Sequence, residues 1–112
     1  MGDKKIEKIK KEVKRFENGI KKKFSVEKII LFGSAARGEM TKHSDIDIII
    51  VSRKFGVKDF FRITPKLSGE WHSKQKIDYP VGILLFSTKE FEKLKKEVSI
   101  VSEALREGIE IK

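Results

Sequence analysis

Two aspartates, Asp45 and Asp47, stand at the mouth of a run that otherwise reads as buried strand, in "FGSAARGEMTKHSDIDIIIV" from Phe32 to Val51. Alternate residues of a strand share a face, so the two carboxylates point the same way. At about 4 Å two such charges repel by roughly 1–4 kcal/mol, depending on the local dielectric. A divalent cation turns that repulsion into attraction, because hard cations take carboxylate oxygens. Upstream, Gly33-Ser34 lies between a strand-like run and a helix-like one. A glycine lets backbone N–H groups approach an anion closely, and the serine hydroxyl adds a donor. A Gly-Ser pair alone is usually just a turn. Set before an Asp-x-Asp strand, it forms the phosphate-gripping half of a site for a nucleoside triphosphate with magnesium.

Several elements must hold these residues in place. Ile6, Ile9, Val13, Phe16 and Ile20 step by three and four, so residues 3–22 read as an amphipathic helix with a lysine-rich outer face. "VEKIILF" (26–32) is a β-branched run that stops at Gly33, "SAARG" suits a short helix, and "HSD" reads as a turn. "IDIIIV" (46–51) is apolar enough for a strand covered on both faces. After a linker at Ser52–Gly56, "VKDFFRI" looks helical; Thr64 before Pro65 fits the N-cap of a second short helix running towards Trp71. "YPVGILLF" is a third strand. Ser87 with Glu90 forms a capping box, and Phe91, Leu94, Val98, Val101 and Leu105 carry helical spacing on to Gly108, before a last short strand "IEI". The pattern is a small α/β domain over residues 1–112, with no repeat and no internal boundary.

The 112 residues suffice for one core and are too few for two. No apolar run is long enough to cross a bilayer, and "MGDKKIEKIKKEVKRF" is charged rather than signal-like. The absence of cysteine excludes disulfides and thiolate metal sites and fits a cytoplasmic location. The formal charge is +9, and residues 1–23 hold ten Lys/Arg against four Asp/Glu. That basic end suits nucleic acid, an acidic protein or plain solvent. No aromatic platform or nucleic-acid motif accompanies the lysines, so a nucleic-acid-binding module is the least favoured reading.

Gly33-Ser34, ten further residues, and then Asp45-Ile46-Asp47 resemble the signature of the minimal nucleotidyltransferases of the DNA polymerase β superfamily. The resemblance continues through "YPVGILLFSTKEFEKLKKE" and "EALREGIEI" and covers most of the chain after residue 24. It implies an α/β fold of the polymerase β type, with a short mixed sheet flanked by helices. It also implies transfer of a nucleoside monophosphate, AMP by preference, from a triphosphate to a hydroxyl. By position, Gly33 and Ser34 would hold the triphosphate of ATP, and Asp45 and Asp47 would bind one or two Mg2+ ions. Arg37 sits where the family often has an arginine, to touch phosphate or to brace the aspartates. Many members are antitoxins paired with a small helical HEPN-type toxin, so a partner complex or a homodimer is expected.

One position departs from the family pattern. Where members carry a third carboxylate, directly after "YPV", this chain has Gly82. That carboxylate helps bind metal and takes the proton from the attacking hydroxyl. General-base catalysis is typically worth about 10²–10⁴-fold. Asp78 is the nearest acid, but at about 3.3 Å per residue it lies roughly 13 Å along an extended strand. Two readings follow: a magnesium-dependent transferase weakened at this position, or a degenerate nucleotide-binding partner of a toxin. Of the other residues, Ser44 suits a cap of the turn, His43 a polar loop, and Trp71 the core in preference to a base-stacking platform.

Overall fold

The apolar stripe at the amino end does form a helix, α1 (Gly2–Ile20), two residues shorter at its C-terminus than its spacing suggests. The computed structural model describes residues 2–41 and 43–112, with the side chains of residues 2 and 3 left aside. Three seven-residue strands follow, β1 (Val26–Phe32), β2 (Ile46–Ser52) and β3 (Val81–Ser87), and a two-residue strand β4 (Ile109–Glu110) closes the order. They make one sheet in the order β3-β2-β1-β4. β1 runs antiparallel to both β2 and β4, whereas β2 and β3 are parallel. The fold is therefore α/β, as the sequence pattern implies, with the mixed sheet that the family resemblance implies. Among the described residues no helix is long and apolar enough to cross a membrane.

Both faces of the sheet are covered, by different helices. Ile29, Leu31, Ile48 and Ile50 join Val13, Phe16 and Ile20 of α1 in one buried cluster. Ile30, Ile49, Val51 and Phe86 pack with Phe91, Val101 and Ala104 in the other. The alternation explains why β2 reads as an unbroken apolar run: its odd and even side chains enter different cores. Trp71 belongs to the first core. It is fully buried, stands edge-on to Phe16 at 5.0 Å between ring centroids, and donates Nε1–H to the Tyr79 carbonyl at 2.8 Å. It has no face left for a base.

Three local expectations are corrected. Thr64 does not start a helix: α3 (Phe60–Gly69) runs through it with Pro65 inside, preceded by a 3-10 turn at Val57–Asp59 and continued by a wider π-type turn at Glu70–Lys74. The Thr64 hydroxyl donates back to the Phe60 carbonyl. Proline removes the N–H that would reach the Phe61 carbonyl, and Phe61 faces solvent, 90 % exposed as a residue, so water can take the bond. Second, Ser52 is the buried end of β2 rather than linker. Its hydroxyl donates to the Phe24 carbonyl at 2.8 Å and accepts from the Lys54 and Phe55 N–H groups. Third, the long C-terminal helix is two, α4 (Thr88–Leu94) and α5 (Ile100–Glu107). The capping box of Ser87 and Glu90 opens the first, and Ser99 caps the second while its hydroxyl donates to the Leu94 carbonyl at 2.6 Å. Val98, placed on the apolar stripe by spacing, lies in the break and is fully exposed.

Candidate active site

Three chain segments meet at one end of the sheet. Phe32 ends β1 opposite Asp47, and Asp47 lies beside Gly82 in the parallel register of β2 and β3. Asp47 shares its face with Ile49 and Val51, which are buried under α4 and α5, but is itself only partly covered. The helices leave that end of the face open. Asp45 is exposed, one residue before β2 begins.

The Asp47 carboxylate is wedged between two glycines. A β-carbon at position 82 would lie 2.7 Å from Oδ1, and one at position 33 would lie 2.6 Å from Oδ2. Both distances are too short for carbon against oxygen, so a side chain at either position would turn the Asp47 carboxylate aside from where it now lies. Gly33 has a second reason to be glycine. Its φ of +71° lies in the left-handed region, where the chain turns from β1 into the four-residue helix α2 (Gly33–Ala36).

Burial, and then the charge of Asp45, raise the Asp47 carboxyl above its ordinary pKa, while the Arg37 guanidinium lowers it partway back. A carboxyl raised on folding contributes stability that is full below its unfolded pKa and is lost as pH rises through the folded value. At neutral pH the ionised Asp47 therefore destabilises the metal-free protein. Asp47→Asn, which keeps the shape, should raise the unfolding midpoint in EDTA at pH 7, with the gain shrinking as pH falls towards 4. Thermal unfolding across that pH range checks it, and a lower midpoint for the variant at pH 7 would refute it.

The other sequence candidates are placed less directly. The Ser34 hydroxyl points to the Met40 sulfur at 3.7 Å, a weak partner that a phosphate oxygen could replace. Arg37 does not bond either aspartate. Its Nε donates to Glu39 Oε1 at 2.8 Å and its Nη1 to Glu107 Oε2 at 3.4 Å. It lines a cleft of about 380 Å³ between α2 and α5, together with Phe32, Gly33, Ile100, Ala104 and Glu107. Ser44 caps the turn as expected, its hydroxyl accepting the Thr41 N–H at 3.0 Å; His43 is exposed there. Asp78 is exposed and lines a different hollow, beside Lys5, Lys8 and Glu12 of α1. Among the described residues no third histidine or carboxylate gathers with Asp45 and Asp47 into a metal-holding group of three. Spacing gave no sign of Glu39 or Glu107 as partners of Arg37, nor of α5 as a wall of the cleft.

The nucleotidyltransferase domain family matches residues 6–111. The chain belongs to that family. A stretch of 43 residues is 56 % identical to a protein of Methanocaldococcus jannaschii named "Putative protein adenylyltransferase MJ0604", covering 37 % of this chain and 43 % of that protein. A second protein of that organism, "Putative protein adenylyltransferase MJ1379", is 45 % identical over 45 residues, covering 40 % of this chain and 45 % of its own. The matched stretch thus spans under half the length of either relative. The crystal structure of a "putative nucleotidyltransferase" from Sulfolobus solfataricus shares the fold, with a TM-score of 0.53 and 22 % identity over 87 % of this chain and 83 % of that one. In this nucleotidyltransferase domain, the Gly33 turn and the Asp47 strand end are neighbours across the top of the sheet.

Proposed function

We propose that residues 1–112 work as one nucleotidyltransferase domain that binds ATP with magnesium and passes AMP to a hydroxyl on a partner protein. The observation that carries this reading is the carboxylate of Asp47, which feels the charge of Asp45 and lies between Gly33 and Gly82. Two adjacent hard oxygen donors fit magnesium, which takes one or two carboxylates and completes its shell with water and substrate phosphates. Asp45 and Asp47 would hold the ion, which when bound neutralises phosphate charge and polarises the phosphorus for attack. The chain's own parts then do the rest: the Gly33-Ser34 turn offers its hydroxyl and backbone N–H groups to the triphosphate, and Arg37 faces the cleft beside them. Transfer joins the acceptor oxygen to the α-phosphorus and releases pyrophosphate. The relatives named as protein adenylyltransferases support AMP and a protein acceptor.

A second reading has its own observation. Gly82 offers no carboxylate at the place where its neighbour Asp47 would be joined by one, and Asp78 lies in another hollow. This favours a nucleotide-binding partner subunit with slow or no transfer, the antitoxin half of a pair with a small helical HEPN-type protein.

Calorimetry with ATP in magnesium and in EDTA tests the site common to both readings. Binding is expected only with magnesium; equal binding in EDTA would refute the metal role. Ser34→Ala should leave the fold intact and weaken MgATP binding by roughly 0.5–1.5 kcal/mol, the size of one neutral hydrogen bond. Unchanged affinity would remove Ser34 from the site.

A further inference from the structure

We infer that Glu107, on α5, is a positioning residue for the nucleotide: with Glu39 it holds the Arg37 guanidinium at the mouth of the cleft beside Gly33. This rests on the nucleotide-binding reading above. The geometry is a two-point hold. Glu39 Oε1 takes the Nε hydrogen at 2.8 Å and Glu107 Oε2 takes one from Nη1 at 3.4 Å. A guanidinium has five N–H donors in a fixed plane. Two are used, and Nη2 makes no hydrogen bond among the described residues, so the hold leaves donors for a phosphate. The Arg37 charge already reaches Asp47, whose carboxyl it stabilises in the ionised form.

Both partners come from outside the Gly-Ser turn, and Glu107 is 70 residues away in sequence. The side chains are 42 % exposed for Arg37, 62 % for Glu39 and 58 % for Glu107. Exposed pairs of that kind contribute little to stability. What they do change is the number of positions open to a long arginine. An arginine already held loses less freedom when it meets a ligand, and its fork is aimed before the phosphates arrive. The hold also ties the nucleotide turn to α5, whose Ile100 and Ala104 form the opposite wall of the cleft.

The test is a double-mutant cycle on the whole chain, read as MgATP affinity by calorimetry, with the unfolding midpoint measured without nucleotide. Glu107→Gln should weaken MgATP by roughly two- to tenfold, the worth of ordering one flexible side chain. The midpoint should not move. In an Arg37→Ala background the same change should have no further effect, because Glu107 acts only through Arg37. Equal affinity for Glu107→Gln and the natural chain would overturn the inference and leave the nucleotide site standing. So would independent, additive losses from the two changes, or a tighter complex in Glu107→Gln, which would make the carboxylate a competitor of phosphate. If Glu107→Gln lowers the midpoint, Glu39→Gln supplies the same cycle from the loop side. No MgATP binding by the natural chain would overturn both the reading and the inference.

Discussion

A Gly82→Asp variant is expected to transfer AMP to a cognate partner on the order of 10²-fold faster than the natural chain, if a general base is the missing part. Position 82 lies directly beside Asp47 across the parallel pair of strands, on the same face. A carboxylate there would join Asp45 and Asp47 at the open end of the sheet. The new β-carbon would start 2.7 Å from Asp47 Oδ1, so Asp47 must turn away to admit it. That oxygen is the free end of a side chain, and rotation about its own bonds relieves the contact. The assay is incorporation of radiolabelled AMP by the natural chain, Gly82→Asp and Asp78→Asn. Brisk transfer by the natural chain that collapses in Asp78→Asn would refute this account and make Asp78 the displaced third carboxylate. No gain in Gly82→Asp with a verified partner would show that more than one catalytic part is absent.

The double variant Asp45→Asn/Asp47→Asn should abolish magnesium-dependent ATP binding while the protein stays folded. Loss of groups that merely support metal ligands already costs about 10–100-fold in affinity. Removing both carboxylates of a two-carboxylate site should cost more, a fall of at least about 100-fold. The variant should meanwhile be no less stable than the natural chain in EDTA, since the repulsion between the two charges is gone. Calorimetry with and without magnesium reads the first effect and thermal unfolding reads the second. Undiminished MgATP binding would dismiss the aspartates as ligands. Lost binding with a lowered unfolding midpoint would point to a damaged fold instead.

The aspartate pair tests whether nucleotide and metal meet here, and position 82 tests whether the meeting leads to chemistry. A protein that passes the first and shows no natural transfer in the second is a binding subunit built on an enzyme's fold.

Local pattern alone decided much of this molecule. The 3.6-residue stripe of α1, the apolar runs of β1 to β3, the Ser87–Glu90 cap and the final short strand all formed where the sequence places them, within one or two residues at their ends. These are periodicities that a chain carries in itself, and burial on one side reinforces them. The order strand, Gly-Ser, Asp-x-Asp, strand places the turn at the end of β1 and the carboxylates at the start of β2, and the antiparallel pairing of the two strands brings both to one end of the sheet. Where local signals competed, tertiary contacts won. Spacing would continue α4 through Val98, but Ser99 capped a new helix, and α5 could then lie over Ile30 and Val51 with Val101 and Ala104 inward. Thr64-Pro65 reads as a helix start, yet Ile63, Leu67 and Trp71 needed a continuous apolar face towards the sheet.

Only the folded chain decided what surrounds the site. Strand register put Gly82, and no other residue of β3, beside Asp47. The fold also sets Gly33 and Gly82 against a single carboxylate, that of Asp47. The grip of Glu39 and Glu107 on Arg37, and α5 as a wall of the cleft, join residues with no periodic or spacing relation in sequence. Such contacts depend on the angle at which α5 returns across the sheet, and no local preference of the chain encodes that angle.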